Sequence, residues 1–245
     1  MGELVRVEIG DGSDGSPAGV ATIRLDRPPM NAINSQVQEE LRAAAAQVSA
    51  DDSIRAVVIY GGERVFAAGA DVKEFSGQSH AEVMRDAPRV QSSIDSLAQI
   101  PKPVIAAITG YALGGGCELA LSCDLVVADE SAVLGLPEVT IGLVPGGGGT
   151  QLALRRLGPG RAADVVLTGR RIPAEEARDL GLVDAANSPV ATRAAKRALR
   201  SGWGLDYRAA MDVEDAAWRT AAFSADRKEG IAAFNEKRTP DWPGI

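Results

Sequence analysis

Ile108-Thr-Gly-Tyr-Ala-Leu-Gly-Gly-Gly-Cys-Glu-Leu-Ala-Leu-Ser-Cys-Asp124 joins an apolar run to a second apolar run through three consecutive glycines. It reads as a strand over residues 103–109 that turns through Gly114-Gly115-Gly116 into a helix over residues 117–123. A strand over 125–128 follows at once. Upstream, residues 54–60 form a short buried strand, and residues 35–50 an amphipathic helix with Ser35 as its cap and Gln38 completing a capping-box pattern. Residues 81–100 form a helix that Pro88 is expected to break or bend. Strand and helix alternate, so the fold class is α/β, with parallel strands joined by right-handed crossovers. Residues 4–9 and 18–25 have strand periodicity and are joined as a loose hairpin by residues 10–17, which contain Gly-x-Gly-x-x-Gly as a string. A dinucleotide fingerprint requires a helix directly afterwards, and here a strand follows. From Gly149 onward, residues 150–157, 161–167, 174–180, 189–201, 207–223 and 226–237 favour helix, so the last third reads as a helical appendage.

The 245 residues are 45% hydrophobic and 24% charged, a balance that excludes gross disorder, collagen and coiled coil. Aromatic residues make up only 4%, so the core is built from Ala, Val, Leu and Ile, which suits parallel strands under Ala-rich helices. Twenty-six basic against 33 acidic residues give a net charge of -7 with no basic cluster, which argues against binding a nucleic-acid backbone. No apolar run approaches the ~18 residues needed to cross a bilayer, and residues 1–9 alternate like a strand, so a cytoplasmic location is expected. Cys117, Cys123 and His80 cannot assemble a disulfide framework or a zinc site.

Three segments could carry chemistry. In the first, the glycines bring bare N–H groups to a helix N-terminus, where free donors favour negative charge and could stabilise an oxyanion. Glu118 lies in that first turn; alternatively Glu118 and Ser122 form the wet stripe of an amphipathic helix, and the pattern alone leaves both readings open. The second segment is Leu134-Gly-Leu-Pro-Glu-Val-Thr-Ile-Gly-Leu-Val-Pro-Gly-Gly-Gly-Gly-Thr-Gln151. Pro137 is expected to hold the chain extended beside Glu138, which is either a desolvated carboxyl able to carry a proton near neutrality or a solvated loop residue. No Gly-Lys-Ser/Thr follows the glycine run, so it reads as the start of a helix rather than a phosphate loop. The third is Gly62-Glu-Arg-Val-Phe-Ala-Ala-Gly-Ala-Asp-Val-Lys-Glu-Phe75, a run of small residues at a strand's carboxyl end, where open α/β sheets bind ligands. It offers a second backbone donor or is simply a tight loop. His80 lies in a polar stretch far from any Gly-x-Ser-x-Gly elbow and reads as a surface residue, and Cys117 reads as core packing.

Together these segments resemble the crotonase family of enoyl-CoA hydratases and isomerases. The resemblance extends to Ile23-Arg-Leu-Asp-Arg-Pro-Pro-Met-Asn-Ala-Ile33, Ile100-Pro-Lys-Pro-Val, Leu167-Thr-Gly-Arg170 and Glu229-Gly-Ile-Ala-Ala-Phe-Asn-Glu-Lys-Arg238, in the family's order over nearly the whole chain. It implies a repeated ββα spiral core over residues 1–184 and a C-terminal helical oligomerisation region over 185–245, serving a homotrimer or a hexamer. The activity implied is that of an enoyl-CoA hydratase, with Glu118 and Glu138 as catalytic acids and the N–H groups of Ala70 and Gly115 as the oxyanion hole. Arg27, Ala68, Asp71 and Lys73 are the implied contacts to coenzyme A, with Arg24 and Arg64 as further local cations for its phosphates and Lys237 as one from a neighbouring subunit. No metal or redox cofactor is implied, because coenzyme A is part of the substrate.

The chain departs from the family between Asp184 and Ser188, where three residues stand in place of a linker and about one helix. That shortening puts oligomer state and affinity in question. Two alternatives to hydration accompany the resemblance: double-bond isomerisation on the same fold, and a non-catalytic acyl-CoA-binding subunit.

Overall fold

Apolar strands lead in building the fold, which the computed structural model describes for residues 2–10, 18–182, 195–196, 198–199, 201 and 204–238. The larger sheet comprises β1 (Val5–Ile9), β2 (Val20–Leu25), β3 (Ala56–Tyr60), β5 (Val104–Ile108) and β7 (Leu125–Ala128), in the order β1-β2-β3-β5-β7. β1 and β2 pair antiparallel, Val5 opposite Leu25, and the other neighbours are parallel. Val57, Ile59, Val104, Ala106, Ile108 and Val126 are buried and form one face of this sheet. The alternation along each strand is what a sheet with one fully covered face requires.

The second sheet was not legible in the sequence. It consists of β4 (Val65–Ala67), β6 (Tyr111–Leu113), β8 (Val133–Gly135) and β9 (Ile172–Pro173), in the order β4-β6-β8-β9. Each of these strands has three residues or fewer, too short for a period-two pattern to register. β4, β6 and β8 are parallel neighbours, and β9 closes the sheet antiparallel to β8. Successive turns of the chain therefore give one strand to each sheet and then a helix: β3 and β4, β5 and β6, β7 and β8. This is the ββα spiral that the resemblance implies. It corrects two expectations, since β4 occupies residues read as part of a loop and β9 interrupts the helical last third.

The helices are α1 (Ser35–Ala50), α2 (Val72–Ser76), α3 (His80–Ala98), α4 (Gly115–Ser122), α5 (Gly149–Thr168), α6 (Ala174–Leu180), α7 (Tyr207–Ala222) and α8 (Ala225–Glu236). α1 buries Val37, Leu41, Ala44, Ala45 and Val48, the stripe expected of an amphipathic helix on a core. Its cap is Asn34, whose side chain accepts from Val37 N, rather than Ser35, which is already helical. The reciprocal capping box sits instead on α3, between Ser79 and Glu82. Pro88 does not break α3. It lies on the exposed side of the helix, so the Met84 carbonyl deprived of its donor can be solvated.

The chain separates into two compact units, Met1–Ile100 with Val104–Ala185, and Pro101–Pro103 with Ala186–Ile245. α5 and α6 belong to the first unit, whereas α7 and α8 belong to the second. Residues 11–17 of the connection between β1 and β2 and the shortened segment 185–188 lie outside the described residues. The helix expected over 189–201 falls mostly outside them, and the described part, 195–196, 198–199 and 201, is helical. No helix among the described residues is long and apolar enough to cross a membrane.

α4 lies so close to β4 that a Cβ at Gly116 would stand 2.0 Å from the Ala67 carbonyl oxygen and 2.7 Å from its carbon. Both neighbours are backbone and cannot rotate away. Gly116→Ala should therefore cost about 3 kcal/mol, a fall of ~6–12 °C in Tm. Thermal unfolding of the purified variant checks this, and an unchanged Tm would mean that α4 does not sit against β4 as described.

Candidate active site

Sheet order brings the three sequence segments together. Ala68–Asp71 leaves the carboxyl end of β4, Gly114 and Gly115 leave that of β6, and Glu138 follows that of β8. Adjacent parallel strands lie about 4.8 Å apart, so three stretches separated by tens of residues converge on one edge. Gly114 N donates to Gly135 O at 2.9 Å and prolongs the β6–β8 ladder to the turn itself. A methyl group at Gly114 would lie 3.1 Å from Glu138 Oε1, and one at Gly115 would lie 3.8 Å from Ala70 N and 3.9 Å from Glu118 Oε2. Both carboxyls and both predicted donors thus border one small space.

The two donors are available for structural reasons. In α4 the first intrahelical bond runs from Glu118 N to Gly114 O, which leaves the N–H of Gly115 without an acceptor inside the helix. Ala70 forms a parallel bridge with Ile33, in which Ile33 N donates to Gly69 O and Asp71 N donates to Ile33 O. That ladder uses the groups flanking Ala70, so the Ala70 N–H points to the opposite edge, toward Gly115.

Glu118 is 2% exposed in a helix buried on every side from Gly116 to Ser122, which excludes the wet-stripe reading. Its Oε1 accepts from Gly147 N at 2.8 Å and Gly149 N at 2.7 Å. Burial raises its pKa above the ordinary carboxyl value, and these two amides offset only part of that rise. Sequence reasoning missed this anchorage, although the run Gly146–Gly149 was its signal. A Cβ at Gly147 would lie 2.8 Å from Glu118 Oε2 and 2.9 Å from Ile94 Cγ1, so a bare residue there leaves the carboxylate room.

Glu138 is held differently. Pro137–Ile141 is a 3-10 helix rather than an extended segment, because proline's fixed φ suits a first helical position as well as a strand. Glu138 is half-buried, and its Oε2 is enclosed without a hydrogen-bond partner among the described residues. Desolvation, with a smaller contribution from the Glu118 charge, pushes it up to about 7. The neighbouring Cys117 thiol is pushed up to about 12, mainly by burial, so it is no nucleophile. His80 is on the surface, as expected.

The residues implied in coenzyme A binding are dispersed. Arg27 Nη2 donates to Asp71 Oδ2 at 2.5 Å and Nη1 donates to Ala32 O at 2.9 Å, so the two residues hold each other. The Arg27 guanidinium keeps the Asp71 carboxyl below its usual range. Ala68 N donates to Met30 O, Lys73 and Arg64 are exposed, and Arg24 stacks over the Tyr60 ring at 5.4 Å. Lys237 belongs to the other unit. Among the described residues no group of three or more His, Cys, Asp or Glu side chains could hold a metal ion.

The sequence signature of the enoyl-CoA hydratase/isomerase family matches residues 15–189. The chain belongs to the enoyl-CoA hydratase/isomerase family. This family member is 41% identical to the 2,3-dehydroadipyl-CoA hydratase of Escherichia coli K12, over 92% of this chain and 95% of that protein. It is 40% identical to the human mitochondrial enoyl-CoA hydratase domain-containing protein 2, over 94% of this chain and 87% of the relative. The crystal structure of an enoyl-CoA hydratase from Bacillus anthracis superposes with a TM-score of 0.90 at 37% identity, covering 99% of this chain and all of that one.

The electrostatics of Glu138 predict a pH signature. With a folded value of about 7 against an ordinary 4.5, the folded chain keeps a proton that the unfolded chain has lost between those values. Stability therefore falls as pH rises through that window. Glu138→Gln removes this contribution, so its stability relative to wild type should improve from pH 5 to pH 8, measured by urea unfolding. Parallel pH dependences for the two proteins would show that the carboxyl is not desolvated.

Proposed function

We propose that this family member is an enoyl-CoA hydratase that adds water reversibly and syn to a 2-enoyl-CoA, giving a 3-hydroxyacyl-CoA. The observation that carries the reading is a pair of neighbouring carboxyls with opposite hydrogen-bond environments. Glu118 accepts two amide N–H groups, which favour its ionised form, while Glu138 is desolvated with a bare oxygen, which favours its protonated form. Glu118 takes a proton from water as its oxygen adds to C3, and Glu138 delivers a proton to C2. Proton transfer from Glu118 to Glu138 then restores both groups, so no proton is gained or lost overall. Negative charge developing on the thioester oxygen falls to the Ala70 and Gly115 amides, each typically worth ~3 kcal/mol of barrier. Coenzyme A enters with the substrate, and the reading needs no metal or redox cofactor. The name of the E. coli relative, a hydratase of an acyl-CoA, supports it.

Isomerisation would use the same enolate but needs one carboxyl to move a proton along the chain. The separate anchorage of Glu118 favours hydration. A homotrimer, or a hexamer of two trimers, belongs to the proposal. It is supported by Trp218, Phe223 and Phe234, which are 68%, 85% and 84% exposed on or beside α7 and α8, an unusual placement for large aromatics in a monomer.

Hydration of crotonyl-CoA, followed by loss of the enoyl absorbance, tests the reading. Glu118→Gln and Glu138→Gln should each lower kcat by about 10²–10⁴-fold with circular dichroism unchanged. Full activity in either variant would remove that residue from the mechanism. Acyl-CoA binding with no turnover by wild type would favour a non-catalytic subunit, and conversion of 3-enoyl-CoA alone would favour an isomerase.

A further inference from the structure

The Arg27–Asp71 pair and Asn31 form a buckle around the backbone of residue 70. Asn31 is buried with φ of +49°, a left-handed conformation that asparagine tolerates better than most residues. Its Nδ2 donates to Gly61 O at 2.7 Å, Phe66 O at 3.0 Å and Val65 O at 3.3 Å, and its Oδ1 accepts from Arg27 N at 2.9 Å. Two of those carbonyls lie in β4 and the third precedes it, so the side chain fixes the loop of residues 27–33 to the strand that ends at the site. Beyond β4 the loop grips the chain again: Ala68 N donates to Met30 O, Ile33 N to Gly69 O, and Asp71 N to Ile33 O. The Arg27 guanidinium closes the buckle, with one arm on Ala32 O and the other on Asp71 Oδ2. Asp71 Oδ1 meanwhile accepts from Lys73 N, at the start of α2.

We infer that Arg27, Asp71 and Asn31 are positioning residues for the Ala70 oxyanion donor rather than ligands of coenzyme A. The Ala70 N–H is directed by the ladder on either side of it, and that ladder is fastened by these three side chains. With its charge balanced by Asp71 and one donor each on Asp71 and Ala32 O, the Arg27 guanidinium is held in place and has less positive charge to offer a phosphate. The inference rests on the enolate chemistry proposed above.

Asp71→Asn is the decisive variant, because the amide keeps the shape and the contact to Lys73 N but loses the charge that holds Arg27. Arg27→Met removes both arms while keeping an apolar side chain about as long as the arginine stem. A small displacement of an oxyanion donor is costly, so kcat for crotonyl-CoA should fall about 10–100-fold in either variant. KM, and the affinity for coenzyme A alone, should stay within about twofold of wild type. The pH at which activity falls, set by the two glutamates, should not move. A bound conjugated dienoyl-CoA reports carbonyl polarisation directly: its red shift should shrink in both variants, a change that general loosening of the fold would not produce at constant affinity. Asn31→Ala, if folded, should show the same split more strongly; if it does not fold, Asp71→Asn decides. A tenfold loss of coenzyme A affinity with kcat intact would overturn the inference and return Arg27 to phosphate binding. Unchanged kcat and red shift would overturn it as well. A wild-type chain that red-shifts the dienoyl thioester without hydrating crotonyl-CoA would sink hydration alone, since loss of the shift in Asp71→Asn would still decide this inference.

Discussion

The parallel ladder between β4, β6 and β8 is the constraint on which the site depends. Two pairings, one of two residue pairs and one of three, set the carboxyl ends of these strands side by side. Without them Ala70, Gly115 and Glu138 would be unrelated points on the chain. Short strands of this kind contribute little stability themselves. They persist because the larger sheet and the helices packed around it fix where each turn of the spiral begins. Gly116, pressed against the Ala67 carbonyl, shows how little slack that arrangement leaves.

Placing two carboxyls in such a region is unfavourable unless their charges are managed, and the chain manages them unequally. Glu118 has surrendered water for the amides of the loop before α5, which can solvate an anion without reorganising. Glu138 has lost water without full replacement, so its proton is held more tightly. The difference arises from backbone: the amides of Gly147 and Gly149 serve one acid, whereas the other has only its own backbone amide to offset its desolvation. Two residues of one chemical type thereby acquire different affinities for a proton.

Much of this was legible in sequence, and what was lost has identifiable causes. The strands of the larger sheet and most helices emerged because their apolar periodicity extends over four or more residues. Residues 65–67, 111–113, 133–135 and 172–173 did not, since so short a stretch has no measurable period. Glu118 and Glu138 stood out through their glycine- and proline-rich surroundings, yet pattern could not separate a wet face from a buried one: Glu118 follows the same helical spacing in either case. Arg27 and Asp71 were visible only as charges. Their mutual commitment depends on a contact across 44 positions, a distance over which composition and spacing carry no information.

Burial of the two cysteines has a chemical corollary. Carbon 3 of an unsaturated thioester is an electrophile toward sulfur as well as toward water, and thiolates are the better nucleophiles. Cys117 adjoins Glu118 in the chain, yet its thiol is enclosed and retains its proton to about pH 12. Cys123, at the far end of the same helix, is equally enclosed. A hydratase of the kind proposed would bind Michael acceptors repeatedly, and holding both sulfhydryl groups as inert filling would protect it from alkylating itself.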